Sequence, residues 1–315
     1  MREVSLGDHI LAHRFSVAIK EKYLNSELHV FSDTENNFLQ KKVLEYLYPN
    51  FYNSITVIPN KKYKKCIINS QFGEEEYRGG IHNIPDEIRD KMISDCDKFY
   101  NLHIDSLEFL NYNDIDWDNY FFHIPKPIIK PVNKWGKFIC VQLVSGSSQV
   151  HCLHQWYIDR LLNDISKKFS EYRIFIISVP ETNCFYEKSI NSLSNVSLFN
   201  GSLNEICDVL LCSSGFIGID SAWRLLSHSQ NKPTITLSKD CNGYGGVPIS
   251  HRLRWLCWPN TTFGLHHSTQ DIVNLFLNML ENKTYLVFPE LTFQDKNSII
   301  KRNYKVNLEK SVLNQ

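Results

Sequence analysis

The chain lacks a surplus of either charge. Its 34 Lys and Arg are matched by 34 Asp and Glu, so no long-range field gathers nucleic acid or an acidic polymer. It also lacks a C-x-x-C pair, although it has nine cysteines; neither a structural zinc site nor a redox dithiol is indicated. Several cysteines (Cys140, Cys207, Cys212) lie in apolar runs, where a free thiol behaves as a small hydrophobe. That usage and the odd count fit a reducing compartment. There is no run of about 18 apolar residues to span a bilayer and no apolar leader at the start. A soluble, cytoplasmic protein is therefore expected. Neither G-x-G-x-x-G nor G-x-x-x-x-G-K-[ST] occurs, which argues against a nicotinamide-dependent dehydrogenase or a P-loop nucleotidase. No internal repeat and no low-complexity tract appears. The one basic run, Lys61-Lys62-Tyr63-Lys64-Lys65, reads as a solvated loop; a peripheral contact with the inner membrane surface or with an anionic substrate is the alternative.

What the chain does have is alternation. A length of 315 residues suits two domains. In the first half, residues near Val4 lead into Gly7-Asp8, and His9 to Tyr23 carries apolar residues at helical spacing. Short strands are predicted at Leu28–Phe31, Ile55–Ile58 and Ile67–Ile68, with a helix over Asn37–Tyr48 closed by Pro49 and another over Asp86–Tyr100. Ile124 to Pro131 is proline-spaced and reads as a linker. The second half predicts strands at Lys137–Val144, Arg173–Val179, Val196–Phe199, Phe216–Ile219 and Pro233–Leu237. Helices are predicted at His154–Phe169, Ile206–Leu211, Trp223–Ser229 and Ile272–Leu280. Ser202-x-x-Glu205 and Ser268-x-x-Asp271 read as capping boxes. This is the βαβ pattern of parallel sheets covered by helices on both faces. The expected domains are 1–133, ending in the Pro-rich linker, and 134–315.

Candidate chemistry lies at strand ends, where open α/β sheets bind ligands. Asp8 follows a glycine just before a helix, so it reads either as an N-cap or as a general base. Asp220-Ser221-Ala222 ends a strand and opens a helix; it reads as a cap or as an anion cradle of free N–H groups. Ser145-Gly146-Ser147-Ser148 follows a buried strand and could hold phosphate, or be an ordinary loop. His151 and His154 flank a helix start. Asp114-Ile115-Asp116-Trp117-Asp118 has metal-type D-x-D spacing but follows a polar stretch and reads as a turn. Gly243-Tyr244-Gly245-Gly246 reads as a turn or a lid.

Ser5-Leu6-Gly7-Asp8 with its helix resembles the N-terminal motif of family 9 glycosyltransferases, the bacterial heptosyltransferases. Their C-terminal signature is resembled by three segments in order: Asn200-Gly201-Ser202-Leu203-Asn204-Glu205-Ile206, then Phe216-Ile217-Gly218-Ile219-Asp220-Ser221-Ala222, then Lys232-Pro233-Thr234-Ile235. The resemblance is good over residues 139–237, thin over 1–48 and absent between. It implies an α/β, GT-B fold of two Rossmann-like domains facing a cleft, the acceptor on the first and the donor on the second. It implies an inverting, metal-independent transfer with no cofactor, from a nucleotide-sugar donor to a glycan or lipid-linked glycan acceptor in surface polysaccharide or lipopolysaccharide assembly. Asp8 would be the base. Gly218, Asp220, Ser221, Ala222, Ser145, Ser147 and His151 would lie on the donor's sugar and phosphates, and Glu181 near its nucleoside. The chain departs from the family pattern at Ala222, where the family has Gly, and at Leu225, where it has His. The family's phosphate-neutralising Lys is replaced by Val150 or His151, so charge must come from His151, His154, Arg224 or Lys239. Other readings are a polysaccharide pyruvyltransferase-like enzyme and a catalytically silent nucleotide- or glycan-binding protein.

Overall fold

The computed structural model describes residues 6–32, 37–57, 67–70, 73–76, 126–144, 153–219, 221–230, 232–237 and 268–282. The chain divides into two compact units, Met1–Pro125 with Pro289–Gln315, and Lys126–Phe288.

In the first unit, helix α1 spans Leu6–Lys22. The expectation placed Gly7 and Asp8 ahead of this helix; both are instead inside its first turn. Glycine costs little there, because first-turn N–H groups have no intrahelical acceptor to lose, and the first turn favours acidic residues. The strand expected near Val4 lies outside the described residues. Strand β1 (His29–Ser32), helix α2 (Asn37–Leu47) and strand β2 (Ser54–Val57) form a βαβ unit, with β1 and β2 parallel and His29 opposite Ser54. Val43, Leu44, Leu47 and Tyr48 bury the inner face of α2. After Pro49 the chain turns through Asn50 at φ 61°, the left-handed conformation that Asn tolerates better than most residues. Strands β3 (Ile67–Ser70) and β4 (Gly73–Glu76) pair antiparallel. The helix expected over Asp86–Tyr100, the D-x-D stretch 114–118 and the Lys61 run lie outside the described residues.

The second unit opens with an irregular stretch, 126–137. The Asn133 amide donates to Gly136 O at 2.9 Å, and Gly136 takes φ 79°, a turn that a side chain would strain. The elements that follow are β5 (Phe138–Gln142), α3 (Gln155–Lys168), β6 (Arg173–Ile176), a 3₁₀ turn (Pro180–Phe185), α4 (Glu187–Ser192), β7 (Val196–Leu198), α5 (Leu203–Cys212), β8 (Phe216–Ile219), α6 (Ala222–Ser229), β9 (Thr234–Leu237) and α7 (Thr269–Asn282). The five strands form one parallel sheet in the order β7-β6-β5-β8-β9. In chain order that is 3-2-1-4-5.

Strand side chains alternate between faces. Ile139, Val141, Leu143, Ile217 and Ile219 join Ile158, Leu161, Leu162 and Ile165 of α3 and Ile272, Val273 and Phe276 of α7 in one core. Phe138, Cys140 and Gln142 of β5 and Phe216 and Gly218 of β8 alternate with these residues and so face the other side of the sheet. The stretch 180–192, unassigned from the sequence, is a 3₁₀ turn followed by a short helix.

Candidate functional site

The strand order reverses between β5 and β8, so their connections leave in opposite directions and open a crevice at the carboxyl edge of the sheet. Three of the connections that leave that edge carry the candidate residues.

The first leaves β5. The hydroxyl of buried Tyr186 accepts from Leu143 N–H at 2.9 Å. Leu153 N–H donates to Leu143 O at 3.4 Å, which ties the residue before α3 to the end of β5. Ser145, Ser147 and His151 belong to this connection and lie outside the described residues. Its root carries a residue that the sequence reading passed over. Gln142 is 9 % exposed; its amide N–H₂ reaches Val144 O at 3.5 Å, and among the described residues its Oε1 has no hydrogen-bond partner. Its one sequence signal is that it is the single polar side chain in Phe-Ile-Cys-Val-Gln.

The second connection follows β6. Thr182 Oγ1 donates to Val179 O at 3.0 Å and accepts from Val179 N–H at 3.3 Å, and the Ser178 hydroxyl bonds Asn183. These bonds shape the 3₁₀ turn on which Glu181 stands, in its first turn and exposed.

The third connection is the β8–α6 corner. Gly218 pairs with Gln142 across the switch point. A Cβ on Gly218 would stand 2.5 Å from Gln142 O and 2.7 Å from the Phe216 ring, so this glycine has a packing reason for being one. Asp220 lies outside the described residues. Ser221 is the N-cap of α6, with extended backbone, and its Oγ accepts from Arg224 N–H at 3.4 Å. Ala222 is the first helical residue. The capping role weighed for this Ser is thus observed, and a hydroxyl that accepts from its helix still has a proton to donate. The N–H groups of Ala222 and Trp223 precede the first intrahelical bond and face the edge. Arg224, 1 % exposed, is among the largest fully buried side chains. It places a permanent cation in the first turn of α6.

Other candidates fall elsewhere. Asp8 is the third residue of α1, in the first unit; its side chain is outside the described residues. His154 is the exposed N-cap of α3 and makes no side-chain cap bond. Lys239 and the 243–246 loop lie outside the described residues. Lys232 precedes β9 and sits at the opposite edge, where its ammonium donates to Leu210 O, Leu211 O and Ser213 O at 3.2, 2.5 and 2.7 Å. It closes the C-terminus of α5 and is not available to a ligand at the carboxyl edge. Among the described residues no three His, Cys, Asp or Glu side chains are grouped to hold a metal, and no helix is long and apolar enough to cross a membrane.

No known family profile and no curated protein matches the chain. Solved structures do. The chain is similar to the ADP-heptose lps heptosyltransferase II of E. coli, with TM-score 0.56 and 8 % identity over 89 % of this chain and 97 % of that one. It is similar to a glycosyl transferase family 9 protein from Veillonella parvula, with TM-score 0.54 and 11 % identity over 98 % and 96 %. It is also similar to the E. coli heptosyltransferase WaaC with ADP, with TM-score 0.51 and 10 % identity over 90 % and 98 %. The likeness is one of fold, and it agrees with the α/β, GT-B class that the sequence motifs implied.

Proposed function

We propose that the chain is an inverting glycosyltransferase of the heptosyltransferase type, moving a sugar from a nucleotide-sugar donor to a glycan hydroxyl in bacterial surface polysaccharide or lipopolysaccharide assembly. The supporting observation is the β5/β8 corner. A Ser-capped helix start, first-turn N–H groups without an intrahelical acceptor and a buried Arg224 in the same turn lie beside the switch point of a parallel sheet. This is the chemistry a diphosphate requires: N–H donors, the positive end of a helix and a fixed cation. It also supplies what the missing family Lys would have supplied.

In this reading residues 134–315 hold the donor and residues 1–133 the acceptor. Ser221 donates to a phosphate oxygen, and Asp220, Ser145, Ser147 and His151 complete the donor's surroundings. Glu181 meets the nucleoside. Asp8 takes the acceptor hydroxyl proton. The freed oxygen attacks the anomeric carbon from the face opposite the diphosphate, the carbon–oxygen bond to phosphate breaks, and its electron pair leaves on the nucleoside diphosphate. The corner stabilises that charge as it develops, so no metal is required.

Two measurements test this. A thermal-shift screen of nucleoside diphosphates and their sugars, with ADP-heptose first because one similar structure is named for ADP-heptose and another is with ADP, should show stabilisation of about 2.7 kcal/mol at a hundredfold excess over Kd. Asp8→Ala should abolish transfer and leave donor affinity within about twofold, with wild-type turnover unchanged by excess chelator. Full turnover in the Asp8 variant would remove Asp8 from the step, and strict metal dependence would require a different account of the leaving group.

A further inference from the structure

A groove of about 450 Å³ lies between α3 and α4, lined by Trp156, Asp159, Arg160, Asn163, Lys188, Ser189, Ser192 and Leu193. None of these residues belongs to the corner described above. Helix α3 buries Tyr157, Ile158, Leu161, Leu162 and Ile165, so helical spacing turns Trp156, Asp159, Arg160 and Asn163 outward along one stripe. Trp156 is 60 % exposed. Its indole is steadied by an edge contact with the buried Tyr157 ring, at 5.4 Å and 78°. An exposed indole offers a flat apolar face with one N–H donor at its edge.

The floor of the groove is pre-set. Asp159 accepts from Gln155 Nε2 at 3.1 Å, from Ser189 Oγ at 3.4 Å and from Lys188 Nζ at 3.3 Å. Its carboxylate is held in place with acceptor capacity to spare. Arg160 and Asn163 add planar donors and acceptors on the same stripe. An aromatic face beside fixed planar polar groups matches a pyranose, whose ring offers a C–H face to stack and a rim of hydroxyls to bond. A protein interface fits poorly. Interface cores are depleted in Lys, Asp and Ser, and Leu193 is the groove's one aliphatic side chain. The volume lies within the range of small-ligand clefts.

We propose that this groove is a second carbohydrate site, with a sugar ring stacked on Trp156 and its hydroxyls bonded to Asp159, Arg160 and Asn163. It would hold a glycan on the flank of the second unit. The proposal does not rest on the transfer reaction: a chain that transferred nothing would still bind sugar here.

The test is titration of the full chain with maltotriose, N,N′-diacetylchitobiose and lactose, read by indole fluorescence and by saturation-transfer NMR. At least one should bind saturably. Trp156→Ala should weaken that binding at least tenfold, about 1.4 kcal/mol, while Trp156→Phe stays within a few-fold of wild type. The melting temperature should be unchanged in both variants, since the ring is exposed. Saturating ADP should leave the sugar signal intact. The proposal is overturned if none of the three sugars binds, if Trp156→Ala binds like wild type, if ADP displaces the sugar, or if the only effect of the substitution is lost self-association in sedimentation.

Discussion

A methyl group on Gly218 meets two neighbours of different kinds. The Phe216 ring, 2.7 Å away, can rotate; Gln142 O, 2.5 Å away, is backbone of the adjacent strand and can move only by parting β5 from β8. Gly218→Ala should therefore lower stability by about 1–3 kcal/mol, read as a shifted urea midpoint with unchanged slope. Adding Phe216→Leu should recover only part of the loss, because the carbonyl contact persists. A full recovery would show that the ring alone sets the requirement. The glycine itself was legible as the Gly of an Ile-Gly-Ile-Asp strand end, but its reason was not, since that depends on which strand pairs with β8. Gln142 was hidden for a related cause. A buried parallel strand reads as a continuous apolar run, so its last polar residue passes as part of the run until the pairing puts it at the switch point. Arg224 was legible as a nearby charge, and its burial was not, because burial is decided by the helices that cover the face.

At the scale of the element, α5 shows which ends a sequence reveals. Its start is written locally: Ser202 accepts from Glu205 N–H at 3.4 Å, and Glu205 accepts from Ser202 N–H at 2.8 Å, the reciprocal pair that the Ser-x-x-Glu spacing predicts. Its end is closed from a distance, by Lys232, and no spacing rule finds a partner some twenty positions away. Helix α4 was missed because six residues are too few for a 3.6-residue period to emerge. Lys232 gives this element a pH signature. Burial pushes its pKa down from 10.5 to about 8, and nearby Cys140 and Cys212 oppose that shift. Between these values the unfolded chain binds the extra proton, so this group's contribution to stability rises with pH from about 8 to 10.5. Replacing it by Met removes both the cost of the buried charge and the three carbonyl bonds. Relative to wild type, Lys232→Met should therefore lose ground as pH rises through that window, by a few kcal/mol at most. Urea midpoints of the two proteins across the window would check this, and a constant difference would show that the ammonium titrates normally.

For the whole molecule, the alternation of strand and helix was readable and the sheet order was not. Periodicity reports faces and lengths, whereas 3-2-1-4-5 is set by which distant strands pair. One residue with no local signature, His13, contributes an acid response to the stability of the chain. His13 is 2 % exposed, stacked on Tyr48 at 3.5 Å and bonded through Nδ1 to the Tyr52 hydroxyl at 2.5 Å. Burial pushes its pKa from 6.5 down to about 3, so the folded chain keeps a neutral imidazole where the unfolded chain binds a proton. Its contribution to stability is complete above pH 6.5 and lost as pH falls toward 3. Between pH 6.5 and 4.5 most carboxylates are still ionised, so imidazoles dominate this window, and comparison with a His13 variant separates this one from the other eleven. Wild-type stability should fall there by roughly 2 kcal/mol, and His13→Phe, which keeps the stacking and cannot titrate, should flatten that limb whatever its stability at pH 7. Equal acid slopes in the two proteins would show that the ring takes up its proton inside the fold, with Tyr48 and Tyr52 moving aside to admit water.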